Sequence, residues 1–485
     1  MKKTTMAKVL VVALMVSASA FTACKKSDSN KESAGAASST SDVTSASSDM
    51  SASESETMPS ATTSEAAPEK FTDTLFIRGD RDYFEPFKNP ETSYCTENDG
   101  VVLPVYTQGY SGCFAYSAVT CIQAYLQKTQ GVTWEADAKD IVNRMYRPKE
   151  DLDSGDEGLF TKIGSPNEYG GDPLGVFNAL ETEPLNGYML SGMIRTLNPD
   201  VDTLKSWIRE YGAPVVAISY NEGMSDAHGY PVQRYEKADI NHFLCVVGWD
   251  DDFPAEGFEF GTTASQNGAW LVHNTNAPGG VAAYYWVSYD VQFPLAVVYM
   301  ATNEYSGGIN QASEAAGTVD PSKGSGEASA FATVVEHEGD LGAVGIFFTE
   351  EVDDYSYTVE IFDGALEDGK LGEKLATVSG KADAAGYHLV ELEEPLHVST
   401  CTVVVHQKGL ISVEGGSQTV PQARYMVGAP TSGELEYVAK SEPGRSFFLV
   451  DGKWVDVTDP SLVETFGVAE YTTVIGDPFM PVLFK

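Results

Sequence analysis

Behind Gly112 the apolar side chains Phe114, Ala115, Ala118, Ile122, Tyr125 and Leu126 recur at spacings of three and four, the period of one helix face. The pattern predicts a buried helix whose first residue is Cys113. Ala136, Ile141, Val142 and Met145 mark a second helix, with Thr133 as its expected cap. Two further helices are expected over Leu174–Leu180 and Leu204–Tyr211, the latter closed by Gly212. Runs rich in β-branched and aromatic residues predict strands over Pro214–Tyr220, Asn241–Trp249, Trp270–Asn276 and Tyr284–Tyr289. Beyond residue 328 only strands are expected: Ala330–Val335, Leu341–Phe348, Tyr355–Phe362, Leu375–Val378, Tyr387–Leu392, Cys401–His406, Arg424–Val427 and Ser446–Leu449. Turn residues separate them at fairly even intervals, the pattern of a β-sandwich.

Three of the first-half elements begin or end on residues that carry chemistry. A helix start has partial positive charge and free N–H groups. Both favour the thiolate of Cys113, and the thiolate is the nucleophilic form. Gln108 stands just upstream in a glycine-bearing loop, where its amide can donate to an oxyanion. His242 opens one apolar strand and Asn274 ends another, so a rigid sheet can aim both. Taken singly, each has a plain structural alternative: a core cysteine, or a strand-end histidine satisfied by its neighbours. His273 points to the opposite face of its strand from Asn274, and His228 lies in a Gly/Asp/Asn-rich loop. Neither is a catalytic candidate.

Composition narrows the setting. The 485 residues suffice for two or three domains. A net charge of −39 argues against nucleic acid as a partner. None of the six cysteines falls in a C-x-x-C pair, and no clustered histidines suggest a metal or other cofactor. Cys121 and Cys245 lie in apolar elements and read as core. At the amino end, Met1-Lys2-Lys3 precedes an apolar stretch, Val9 to Phe21, too short to span a membrane comfortably. Lys25 to Lys70 is rich in Ser, Ala, Thr and Glu and reads as disordered. A flexible chain of that length has a span of roughly 35–40 Å.

Several stretches resemble known families. The sequence Phe21-Thr22-Ala23-Cys24 is similar to the end of a bacterial lipoprotein signal. That resemblance implies a signal peptide over 1–23, lipidation of Cys24 and a tether over 24–70. Gln108, Gly112-Cys113-Phe114-Ala115-Tyr116-Ser117-Ala118, His242 through Trp249, and Trp270 through Asn274 together resemble the motifs of papain-like cysteine proteases. His242 follows Cys113 by about 130 residues, the separation expected in that family. The resemblance covers 71–305. It implies an α+β papain-like domain, with a helical subdomain and an antiparallel β subdomain. It also implies peptide hydrolysis by Cys113, His242 and Asn274, with Gln108 in the oxyanion site and no cofactor. Phe114, Thr275-Asn276 and a loop one residue short depart from the family pattern. After a linker over 306–327, the stretch Phe331–Gln407 resembles a lectin-like domain, here assigned to 328–485 as an all-β sandwich. The expected protein is a lipid-anchored peptidase on the extracellular face of a bacterial membrane. Its expected partners are protein or peptide substrates and, through the sandwich, a glycan or surface protein. The competing reading is an inactive papain-like protein that only presents the sandwich to a glycan or host protein.

Replacing the lipidated residue tests the anchor. Cys24→Ser is expected to shift the protein from the detergent phase to the aqueous phase on detergent partitioning. Unchanged partitioning would rule out lipidation at Cys24.

Overall fold

The computed structural model describes residues 91–106, 112–151, 157–161, 170–171, 173–219, 241–257, 264–274, 284–312, 317–319, 328–349, 354–409, 411–413, 435–438, 441–467 and 475–485. The signal and tether at 1–23 and 24–70 with Cys24, and Gln108, His228 and the strand expected at Arg424–Val427, lie outside these residues.

The five helices among the described residues are α1 (Cys113–Gln130), α2 (Ala138–Met145), α3 (Pro173–Asn178), α4 (Val201–Tyr211) and α5 (Ser461–Thr465). α1 begins where the apolar period begins. It ends at Gly131, whose left-handed backbone (φ 65°) lets its N–H close on the Gln127 carbonyl. The expected cap of α2, Thr133, is not used. Asp137 caps the helix instead, its carboxylate accepting from the Lys139 N–H at 2.9 Å. A carboxylate next to the first turn satisfies a free donor and meets the positive helix end, and Thr133 stands too far upstream to do either. Asp200 caps α4 in the same way, accepting from the Thr203 N–H at 2.7 Å.

The first-half strands are β1 (Ser93–Cys95), β2 (Gly158–Thr161), β3 (Met189–Leu197), β4 (Val215–Ile218), β5 (His242–Asp250), β6 (Ala269–His273), β7 (Tyr284–Ser288) and β8 (Leu295–Thr302). The second-half strands are β9 (Gly307–Ile309), β10 (Gly317–Val319), β11 (Ala328–Phe348), β12 (Ser356–Asp363), β13 (Lys374–Lys381), β14 (Gly386–Gln407), β15 (Ile411–Val413), β16 (Leu435–Val438), β17 (Ser446–Val450), β18 (Lys453–Asp456) and β19 (Val482–Phe484). One antiparallel sheet runs through both halves in the order β18-β17-β11-β14-β3-β8-β4-β5-β6-β7. Helix α1 packs against β5 and β8.

Three sequence expectations change here. Ala330–Val335 and Leu341–Phe348 are one strand, β11, and Tyr387–Leu392 and Cys401–His406 are one strand, β14. Gly339 and Pro395 lie between those expected strands; Gly339 pairs with Val398, and Pro395 falls in the register shift between Leu341↔Leu396 and Ala343↔Glu391. Bulges of this kind accommodate both residue types without ending a strand. Second, the expected linker 306–327 contains β9, which pairs with β19, and β10, which pairs with β15. Third, β3 and β8 pair along their length at the centre of the sheet, although the pattern reading named neither. They are buried on both faces, so they show no polar alternation.

The two halves are joined by backbone as well as by side chains. Gly386–His388 of β14 pair with Gly192–Ile194 of β3. β16 pairs with β2, register Leu435↔Thr161 to Val438↔Gly158. Phe347, Tyr387 and Phe479 belong to the same apolar core as Phe114, Ala118 and Ile122 of α1. A separate core inside the sandwich gathers Phe331, Val344, Phe348, Val403, Phe448 and Phe466.

At the margin of this sandwich, Asp477 is buried beside the Ser446 and Ser441 hydroxyls. Burial, partly offset by the Ser446 and Ser441 hydroxyls and reinforced by the nearby Asp456 and Glu442 carboxylates, pushes its pKa up to about 6. A carboxyl raised in this way supports the fold below its unfolded value. The support is lost as pH rises through about 6, and the ionised form then costs roughly 2–3 kcal/mol. Asp477→Asn is expected to raise stability at pH 8 by about this amount and to give no gain at pH 4. Denaturant melts of both proteins at the two pH values measure the difference.

Candidate active site

The antiparallel pairing of β5 with β6 sets the start of one strand beside the end of the other. His242 is the first residue of β5, and Asn274 directly follows β6. Their side chains meet there: His242 Nε2 donates to Asn274 Oδ1 across 2.9 Å, with both residues fully buried. An amide oxygen can only accept, so this bond fixes the proton on Nε2 and turns Nδ1 toward the opposite side as the basic nitrogen. The low polarity of the surroundings strengthens the bond.

Cys113 is the first residue of α1, behind Gly112, and is 1% exposed. Between α1 and β5 the Cys245 thiol donates to the Ser117 carbonyl at 3.2 Å. Ser117 lies one helical turn after Cys113, and Cys245 lies three residues after His242. Cys113 and His242 thus each stand just upstream of this contact on their own element. The N–H groups of the first turn of α1 are not consumed by the helix itself.

His273 takes a different role from its neighbour Asn274. Its Nε2 donates to the Pro104 carbonyl at 3.0 Å, and its ring meets Tyr284 edge-on at 4.8 Å. Burial lowers its pKa to about 4, so it is neutral near pH 7. It ties β6 to the apolar run that precedes residues 107–111. Gln108 lies outside the described residues, and its oxyanion role stays with the family resemblance.

A contact at the first turn of α1, Gly171 against Phe114, was not read from the sequence. Gly170-Gly171 precede α3 by a few residues. A Cβ at Gly171 would stand 2.6 Å from the Phe114 ring, so the backbone of Gly171 lies flat against the residue next to Cys113. The Tyr146 hydroxyl donates to the Gly170 carbonyl, and the Tyr299 hydroxyl donates to the Pro173 carbonyl at 3.0 Å. The glycine pair was the available signal, because two adjacent glycines permit close backbone approach.

The other described cysteines have environments that suppress ionisation. Burial pushes the thiols of Cys95, Cys121 and Cys401 up to about 12, and that of Cys245 well above the ordinary value. All five described cysteines are unpaired with one another. Cys113 alone of the five heads a helix.

No curated protein sequence matches the chain. The family model for the lectin-like domain matches residues 312–468. Among solved structures, the chain is similar to the Clostridial cysteine protease Cwp84 after propeptide cleavage. The identity is 17% and the TM-score 0.62, over 81% of this chain and 98% of that one. It is also similar to the cysteine protease and lectin-like domains of Cwp84, described as a surface layer associated protein of Clostridium difficile. There the identity is 17% and the TM-score 0.59, over 81% of this chain and 88% of that one. Likeness at this identity speaks for fold, and the chain has the fold of a papain-like cysteine protease joined to a lectin-like domain.

Proposed function

We propose that this chain is a cell-surface-anchored cysteine endopeptidase. The observation that carries the reading is the buried His242–Asn274 hydrogen bond at 2.9 Å, with Cys113 at the head of the helix packed on the same strand. In the proposed reaction, Nδ1 of His242 takes the Cys113 thiol proton, and the thiolate attacks the peptide carbonyl carbon. The tetrahedral oxyanion is held by the Cys113 backbone N–H and by the Gln108 amide. Collapse breaks the C–N bond as the imidazolium gives its proton to the leaving amine. Water, deprotonated by the same imidazole, then cleaves the thioester and restores the thiol. Asn274 keeps the ring in the required orientation through both steps. The peptidase unit is assigned to 71–305 and the sandwich to 328–485.

The description of Cwp84 as surface layer associated supports a cell-surface location. The leader ending at Cys24 supports lipid anchorage there. The lectin-like sandwich is assigned to binding a glycan or surface protein, a role that its fold alone leaves open.

A peptidyl epoxide that alkylates papain-like thiols tests the site. The wild type is expected to take up one equivalent, and Cys113→Ala none, with unchanged circular dichroism. Full labelling of Cys113→Ala would move the nucleophile to another thiol. A wild type that neither labels nor cleaves peptides would favour the inactive, ligand-presenting reading.

A further inference from the structure

Residues 101–106 belong to no helix or strand, yet polar side chains hold them on two sides. On one side they follow α1 from its last turns toward its first. Gln127 closes a two-way clip on Val102, accepting from its N–H and donating to its carbonyl, each at 2.9 Å. Four residues on, the Tyr106 hydroxyl donates to Gln123 Oε1 at 3.0 Å. The Tyr106 ring lies 5.3 Å from that of Tyr116, in the first turn of α1. Gln123 is held in turn, its amide donating to the Trp134 carbonyl at 3.2 Å. On the other side the segment meets the end of β6, where His273 donates to the Pro104 carbonyl at 3.0 Å. His273 stands opposite Cys245 in the β5–β6 register, and the Cys245 thiol donates to Ser117 of α1. Residues directly opposite one another share a face of the sheet, so the imidazole of His273 lies on the α1 side of β6. One peptide further on, Asn274 holds His242.

We propose that His273 is a positioning residue for the cysteine–histidine pair: through Pro104 it pins the segment that runs along α1, and so sets the Cys113 helix against the strand end that carries Asn274. What this spacing does for catalysis rests on the peptidase reading. The pin itself is a set of contacts in the fold. For packing alone an imidazole is a costly choice. His273 is fully buried, and its Nδ1 has no hydrogen-bond partner among the described residues, a penalty that an apolar ring of similar size avoids. What the imidazole adds is the Nε2–H. Proline fixes φ at the point where that donor attaches, so the carbonyl is presented by stiff backbone. Pro104 is exposed, and without the donor its carbonyl can turn to water. The segment is then hydrogen-bonded to α1 and no longer to β6. A displacement of about 1 Å between reacting groups can cost on the order of 10²-fold in rate. A slight loosening between helix and strand is therefore enough to be read in the chemistry.

The test uses the full-length protein with His273→Phe, His273→Gln, Gln127→Met and the double variant His273→Phe/Gln127→Met. Phe466→Leu, in the separate sandwich core against Phe448, is a control that lowers stability far from the pin. Three quantities are measured: kcat and KM on a peptide substrate, the denaturant midpoint, and the pH profile of Cys113 alkylation by iodoacetamide, read on the peptide that contains Cys113. His273→Phe is expected to lower kcat about tenfold or more with KM near wild type. Its alkylation midpoint should move up toward the value of about 8.5 of an ordinary thiol, while its denaturant midpoint is unchanged or higher. His273→Gln should recover most of the loss, because its amide can donate to the same carbonyl. Gln127→Met should act in the same direction as His273→Phe, and the double variant should lose no more than the worse single one, because both break one connection. Wild-type kcat and alkylation profile in His273→Phe would overturn the pin. So would the same change in Phe466→Leu, losses that multiply in the double variant, or no recovery in His273→Gln, which would assign the effect to ring shape. If wild-type Cys113 alkylates as an ordinary thiol and no peptide is cleaved, the peptidase reading fails, and amide exchange decides the pin alone. Faster exchange in His273→Phe of the Val102 N–H, which Gln127 protects, supports it, and unchanged exchange overturns it.

Discussion

The architecture depends on one short stretch of backbone pairing, Gly386–His388 of β14 against Gly192–Ile194 of β3. It makes a single sheet out of what would otherwise be two. Gly386 has φ 128°, and a Cβ there would lie 1.8 Å from the Met193 carbonyl oxygen. No other residue fits that seam. Beside it, Tyr387 points into the first-half core, with Gly345 leaving room for its ring. From this seam the ladder passes through β3, β8, β4 and β5 to β6. The strands that carry His242 and Asn274 are therefore continuous, by hydrogen bonds, with the strands of the sandwich. Two layers that share a sheet have less freedom to hinge than domains that touch only through side chains.

The far side of that ladder is secured differently. Lys205 and Arg209 of α4 lie over the rings of Trp249, Tyr289 and Tyr94, with Arg209 4.9 Å from the Trp249 centroid. Lys205 also pairs with Asp251, which accepts from the Tyr289 hydroxyl at 2.7 Å. These contacts pin the exit end of β5, while the Asn274 amide holds a residue at its entrance. A cation over an aromatic face keeps its charge near water while its stem covers apolar surface. The polar anchoring thus lies at the solvent end of β5, and the uncharged interior surrounds the imidazole.

Residues whose chemistry depends on local position were legible in the sequence. Cys113 at a helix start and His242 at a strand start could be located from periodicity, because helix and strand ends are set by neighbouring residues, whereas the strand expected to run on to Asn276 ends at His273. What escaped notice was set by distant ones. β3 and β8 are buried on both sides and lack the alternation that marks a half-exposed strand. Gly339 and Pro395 look like turn residues until a partner strand is present to absorb them as bulges. Gly171 beside Phe114 is a contact between positions far apart in the chain. The capping of α2 by Asp137 shows a smaller version of the same limit: several residues before a helix are plausible caps, and the geometry of one turn selects among them.

β19 lies between β9 and β11, bonded to both. The Ser306 hydroxyl donates to the Phe484 carbonyl across 178 positions of sequence. A strand inserted between two others cannot be added last at an edge. Its neighbours must wait for it with unpaired backbone or open to admit it. Contacts of such separation are late events, because closing a long loop precedes any gain from the pairing. Val482–Phe484 therefore set the order of assembly. During synthesis the first half can acquire its helices and local hairpins while β9 and β11 still lack the strand that pairs with both of them.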